Sequence, residues 1–231
     1  MLIPYPSQRR GYTHFDWLDS HHTFSFGDFH DAERMGVSVL RVINDDVVHG
    51  GGGFGTHPHH DMEILTYMIE GTIAHRDSIG HTEQIRAGEV QRMTAGRGIA
   101  HSEFNASADK SLRLLQIWIK PAQLGLAPSY EQKPIEQRDG LTWIASGDHT
   151  PGTIHIHQDV RVARVRGEGK HELPLAKNRI GFLQIVHGSA QLGEQMLQVG
   201  DAVAVVDESD PQLQLARDSE ALWFDLPKLT H

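Results

Sequence analysis

Two stretches of the chain carry the side chains best suited to chemistry. The first is His57-Pro58-His59, within Gly53-Phe54-Gly55-Thr56-His57-Pro58-His59-His60-Asp61-Met62-Glu63, and the second is His101-Ser102-Glu103. On a β-strand, side chains two residues apart project from one face. His57 with His59, and His101 with Glu103, would then form two pairs of inward-facing donors. Neighbouring strands lie roughly 4.8 Å apart and residues i and i+2 roughly 6.7 Å apart, so two such pairs can converge on one ion. Imidazole nitrogens with a carboxylate suit Fe, Ni, Cu, Mn or Zn, and a four-donor set with open positions points to catalysis rather than scaffolding. Glu63 shares the parity of His57 and His59 and is an equal candidate for the carboxylate; spacing does not choose between it and Glu103. His60 falls on the opposite strand face and reads as structural.

The remaining composition narrows the chemistry. The chain has 231 residues, a net charge of −9, 39% apolar residues and no cysteine. The negative balance argues against an electrostatic grip on nucleic acid or an anionic membrane. Without cysteine there is neither a disulfide framework nor a thiolate site, which leaves His and carboxylate as metal ligands. The N-terminal residues lack the apolar run of a signal peptide, and no segment has the length of a membrane span, so a cytoplasmic protein is expected.

The elements that must position the histidines read as strands. Pro58 and the preceding glycines oppose a helix around His57. Period-two patterning bounded by Gly, Asn and Asp, as in Val37 to Ile43, marks strands and turns; Thr72 to His81 reads as a strand running into a hairpin turn, and Leu112 to Ile119 as a further β-rich run. Ile64 to Ile69 is apolar on both faces, as expected of a strand covered on both sides. The glycines at 50 to 53 are not followed by Lys-Ser/Thr or a helical pattern, so they read as a loop rather than a phosphate cradle. Between Pro121 and Gly140 the prolines suggest a connection, placing the boundary at residue 134 between a unit of residues 1–134 and one of residues 135–231.

The second unit echoes the first. Ile185-Val186-His187-Gly188 parallels Met68-Ile69-Glu70-Gly71, and Gln198-Val199-Gly200-Asp201 parallels Arg86-Ala87-Gly88-Glu89, which predicts two similar β-barrels in tandem. The echo fails at the donors: the positions matching His57 and His101 are Pro174 and Leu213. His155 and His157 form another His-x-His pair but fall too early relative to Gly188, and read as polar positions on an alternating strand.

These features add up to a family likeness. Gly51, His57-x-His59, Glu63 and Gly71 resemble the first cupin motif with its last spacing one residue longer, and Gly88, Gly96, His101 and Asn105 resemble a degraded second motif. Trp17-Leu18-Asp19-Ser20, His22-Thr23-Phe24-Ser25-Phe26, Leu40 to Asp46, Gly53 to His59, Asp61-Met62-Glu63-Ile64 and His101-Ser102-Glu103 more narrowly resemble the pirin family. The likeness is dense over residues 12 to 134 and looser beyond.

The resemblance implies an all-β bicupin of two tandem jelly-roll barrels with one metal in the N-terminal barrel. It places the ligands at His57, His59, His101 and Glu103, with Glu63 outside the coordination sphere. Iron(II) is the metal it points to first, with Ni, Cu, Mn, Co or Zn as alternatives. Bacterial relatives of this type imply quercetin 2,3-dioxygenase activity on a flavonol and dioxygen. The flavonol would chelate through its 3-hydroxyl and 4-carbonyl, with Glu103 as first candidate for the base that takes the hydroxyl proton and Glu63 as second. The eukaryotic relative implies the alternative, an iron-dependent redox-sensing protein that binds a protein partner. A third possibility, isomerisation or decarboxylation without oxygen, follows from the breadth of cupin chemistry.

Overall fold

The period-two runs become strands along the whole chain. The computed structural model describes residues 1–229 and is 58% strand, its helical elements being the single 3-10 turns Ser7–Arg9 and Ala32–Arg34. No helix among the described residues is long and apolar enough to cross a membrane. The strands form four sheets, a large and a small one in each half. In the first half the large sheet runs, edge to edge, Ser129–Pro134, Glu89–Thr94, Glu63–Glu70, Leu112–Ile119, Leu40–Val48, Leu18–His22 and Gly11–Phe15. The small sheet runs Gly53–His59, Ile99–Asn105, Thr72–Asp77 and Thr82–Arg86.

The second half repeats this plan. Its large sheet runs Leu2–Tyr5, Ala202–Val206, Arg179–His187, Glu220–Pro227, Arg161–Arg166, Gly140–Ser146 and Ile154–His155, and its small one Gly169–Glu172, Gln212–Leu215, Ser189–Leu192 and Gln195–Gln198. The expected tandem all-β cupin architecture is therefore present, as jelly-roll-like sheets rather than closed barrels. The echo between halves has a backbone cause at Gly71 and Gly188, which turn with φ of +78° and +69° after equivalent strands. A Cβ at Gly71 would also lie 2.7 Å from the Leu112 Cβ, so glycine is required by both conformation and space.

The largest apolar cluster lies between the two large sheets, where Leu65, Tyr67, Leu115 and Ile117 meet Phe182, Val186, Leu222 and Phe224. Alternate residues of the same strands turn the other way, into the first half; Met68 and Leu114, for example, join a separate cluster with Ile73 and Ile85. This double covering explains why the Ile64 to Ile69 run is apolar throughout.

The large sheet of the second half takes one edge from the other half, and that of the first half ends on the connection. Leu2–Tyr5 pairs antiparallel with Ala202–Val206, while Ser129–Pro134, inside the proline-bearing connection, pairs along Glu89–Thr94. The prolines that mark this stretch as a connection do not keep it from pairing, because an edge strand tolerates proline where no ladder donor is needed. Leu173, Leu175, Leu213, Leu215 and Trp223 pack together in the second half. Leu213, which the echo aligns with His101, stands opposite His171.

Candidate metal centre

His57 and His59 lie on the strand Gly53–His59, and His101 on its neighbour Ile99–Asn105, where His101 and His57 are direct cross-strand partners. The register then shifts: Glu103 stands opposite Phe54, so the Gly53–His59 strand carries an extra residue between the two pairings. A bulge of this kind re-aims side chains locally. The three imidazole rings gather with centroids 4.8 Å apart for His57 and His59, 4.5 Å for His57 and His101, and 4.9 Å for His59 and His101. One nitrogen from each lies within 4.8 Å of the other two. His59 Nε2 and His101 Nε2 are 3.0 Å apart, and His57 Nδ1 is 2.8 Å from the Gly55 carbonyl.

Burial sets the charge state of this cluster. It lowers His59 to about 4 and His101 to about 2, with the neighbouring His57 adding to both effects. Both rings are thus neutral at pH 7, with a lone pair each, as a metal requires. Glu103 completes a second, overlapping group with His75 and His101, and its Oε2 is 3.9 Å from His101 Nε2. Its carboxyl is 1% exposed, and burial, reinforced by Asp46, pushes it up to about 7 against the opposing hydrogen bond from Gln116. Gln116 Nε2 donates to Oε2 at 3.1 Å, whereas buried Oε1 has no partner among the described residues. A buried carboxylate oxygen without a donor costs about 1–3 kcal/mol or more. A divalent cation among these neutral imidazoles would satisfy it, so the donor set fits such a metal.

Glu63 is placed elsewhere. Asp61, with φ +46°, sits in the turn between Gly53–His59 in the small sheet and Glu63–Glu70 in the large one. The parity counted from His59 does not survive that change of sheet. Glu63 is fully buried on the face toward the second half, and its Oε2 accepts from the His157 backbone N–H at 3.1 Å and lies 3.2 Å from His157 Nδ1. His157 therefore holds Glu63 rather than standing on a plain alternating strand. His155 stacks on His149 with centroids 3.9 Å apart. His60 is exposed and bonds Asp61.

His57, His59 and Glu103 open on a cavity of about 360 Å³, within the roughly 300–1,000 Å³ usual for small-molecule sites. Phe15, Phe26, Phe54 and Trp118 form its apolar walls, with Phe26 and Trp118 edge to face at 5.5 Å. The strands Leu18–His22 and Leu40–Val48 add Ser20, His22, Asn44 and Asp46. There His22 Nδ1 lies 2.8 Å from Asn44 Oδ1, and Ser20 donates to Asp46. Burial pushes Asp46 up to about 7. Among the described residues, none of the cavity's lining is Lys or Arg. Sequence reasoning did not single out Asp46, Gln116, Trp118 or His75 as site residues. The available signal was parity along strands that proved to face the cavity, but it named no cavity to face.

Comparison with known proteins identifies the family. The family model described as Pirin matches residues 6–119, and that of the quercetinase C-terminal cupin domain matches residues 143–226. A quercetin 2,3-dioxygenase of Escherichia coli is 44% identical over 230 residues, covering 98% of this chain and 99% of that one. The crystal structure of YhhW from Escherichia coli superposes with a TM-score of 0.96 at 43% identity, covering 100% of both chains. A bacterial pirin YhhW structure in complex with nickel(II) matches with a TM-score of 0.95 at 43% identity, covering 99% of this chain and 100% of that one. With both halves matched by family models and nearly every residue aligned to such relatives, the chain belongs to the pirin family of bicupins.

Proposed function

We propose that the protein is a metal-dependent dioxygenase that cleaves a flavonol such as quercetin at one mononuclear site, with His57, His59, His101 and Glu103 as ligands. The observation that carries this reading is a cluster of three imidazoles and a buried carboxylate on an aromatic-walled cavity lined by no Lys or Arg. A substrate carboxylate would meet Asp28, Asp46 and Glu103 there without a compensating Lys or Arg. A flat, uncharged, hydroxyl-bearing aromatic suits the same walls. Iron(II) is the first candidate for the metal, and the nickel complex of the YhhW structure supports a divalent ion of this size class.

A divalent metal bound there supplies Lewis acidity toward chelating oxygens and an electron path to dioxygen. The Glu103 carboxylate, which lines the same cavity, takes the proton of the flavonol 3-hydroxyl. Gln116 holds one oxygen of that carboxylate, Phe26 and Trp118 hold the ring plane, and Asp46 and His22 accept or donate to ring hydroxyls. Both atoms of dioxygen end in the ring-opened ester acid, one ring carbon leaves as carbon monoxide, and Glu103 returns its proton to the product. Glu63, bonded to His157, supports the wall between the halves in this reading instead of serving as the base. Residues 1–134 form the working unit and residues 135–231 its packed support.

The test is oxygen uptake and carbon monoxide release with quercetin, using protein loaded in turn with iron(II) and nickel(II). Equimolar oxygen consumption and carbon monoxide release are expected, with kcat lowered at least about 100-fold in Glu103→Gln. Absence of uptake in both loaded forms overturns the proposal.

A further inference from the structure

Behind His101, on the side away from His59, stands a row of buried polar side chains with no part in the chemistry so far. His101 Nδ1 lies 3.4 Å from His75 Nδ1, and His75 Nε2 lies 3.1 Å from Asp77 Oδ2. The side chains of His75 and Asp77 are both fully buried. Asp77 Oδ2 is also 3.1 Å from His81 Nδ1, while Oδ1 accepts the backbone N–H groups of Ile79 and His81 at 3.0 Å each. His75 and Asp77 share one face of Thr72–Asp77, the strand paired to Ile99–Asn105 on the side opposite Gly53–His59. Tyr130 packs against the His75 and His81 rings at 5.0 and 4.8 Å.

These contacts fix protons as well as positions. An ionised carboxylate only accepts hydrogen bonds, so His75 must present N–H at Nε2 and, as a neutral ring, a bare Nδ1. The atom facing that bare nitrogen is His101 Nδ1, which must then carry hydrogen. A neutral His101 protonated at Nδ1 has its lone pair at Nε2, the nitrogen that points at His59. We infer that His75 and Asp77 are positioning residues that hold His101 in the tautomer whose Nε2 can bind a metal. Partners of this kind behind ligating imidazoles typically change metal affinity 10–100-fold. The low end applies, because 3.4 Å is at the outer edge of a hydrogen bond. The inference rests on the assignment of His101 as a ligand.

Asp77→Asn tests it with little change of shape. The amide oxygen can keep the Ile79 and His81 N–H groups, while its NH₂ faces His75 Nε2 and forces that ring to protonate at Nδ1. Two N–H groups would then oppose each other, and His101 would move its hydrogen to Nε2. Ring ¹⁵N shifts of the metal-free protein should show His101 protonated at Nδ1 in the wild type and at Nε2 in Asp77→Asn. Nickel(II) affinity, measured by chelator competition, should fall about tenfold in Asp77→Asn and stay within about twofold of wild type in His81→Gln. Wild-type His101 protonated at Nε2 overturns the inference, and this measurement does not depend on the variant folding. So does unchanged nickel affinity in a folded Asp77→Asn. Failure of the ligand assignment gives a different pattern, in which wild-type protein takes up no nickel or His57→Ala binds it as tightly as wild type.

Discussion

Replacing His101 by alanine gives an effect that can be worked out through metal-linked stability. A ligand held only by the folded chain stabilises it by RT ln(1 + [L]/Kd), about 4.1 kcal/mol at 1,000 times Kd. For a chain of this length 1 kcal/mol moves Tm by roughly 2–4 °C. Nickel(II) at that excess should therefore raise the wild-type Tm by roughly 8–16 °C. His101 belongs to both donor groups, the one with His57 and His59 and the one with His75 and Glu103, and its centroid is 4.5 Å from His57 and 4.9 Å from His59. Four-donor protein sites bind with about 10–16 kcal/mol, or roughly 2.5–4 kcal/mol per donor, so removing one donor weakens binding about 100- to 1,000-fold. The same nickel concentration then supplies about 0.4–1.4 kcal/mol, and a shift of roughly 1–6 °C. Because His101 is 1% exposed, its loss also disturbs packing; referring each variant to its own metal-free form removes that contribution. Scanning calorimetry with and without nickel(II), alongside metal stoichiometry, provides the assay. A nickel-dependent shift in His101→Ala within about 2 °C of the wild-type shift would refute the site as drawn. His157→Ala serves as a control expected to retain the full shift.

The join between the halves and the core of the second half lead to further expectations. Arg113 grips Asp45 through Nε at 2.8 Å and Nη2 at 3.0 Å, and its Nη2 also donates to the Val186 carbonyl at 3.1 Å. Burial would raise Asp45, but Arg113 and Arg10 outweigh it and hold the carboxyl below its ordinary value. That stability is fully present above the unfolded carboxyl pKa of about 3.9 and is lost as pH falls through the lower folded value. Arg113→Met leaves Asp45 with Arg10 alone, at 3.3 Å, and should cost about 1–3 kcal/mol at pH 7; the gap to wild type in urea midpoint should narrow as pH falls through the carboxyl range and Asp45 takes up a proton, and a gap that widens on acidification would contradict this. Trp223 is fully buried in the second half, with Nε1 donating to the Pro174 carbonyl at 3.1 Å. Trp223→Ala should lose about 3–5 kcal/mol in urea unfolding while nickel stoichiometry stays unchanged, and a loss of metal in the folded variant would count against a purely supporting second half.

Local periodicity made much of this protein legible in its sequence. Alternation and turn residues were enough to identify an all-β chain with a repeated plan, and to put His57 with His59, and His101 with Glu103, on common strand faces. The failed echo at Leu213 also foretold a second half whose matching position is apolar, since a leucine cannot ligate whatever its surroundings. Parity holds only while a strand stays in one sheet, however, and the turn at Asp61 carries the chain from the small sheet to the large one. Tertiary structure therefore separated Glu63 from the histidines whose parity it shares. It also brought His75 and Asp77 behind His101, set Asp46 and Trp118 in the cavity wall, and lent Leu2–Tyr5 to the distant sheet. Each of those outcomes depends on strand order and on which face of a sheet is covered. Long-range burial decides both, and no short window of sequence records it.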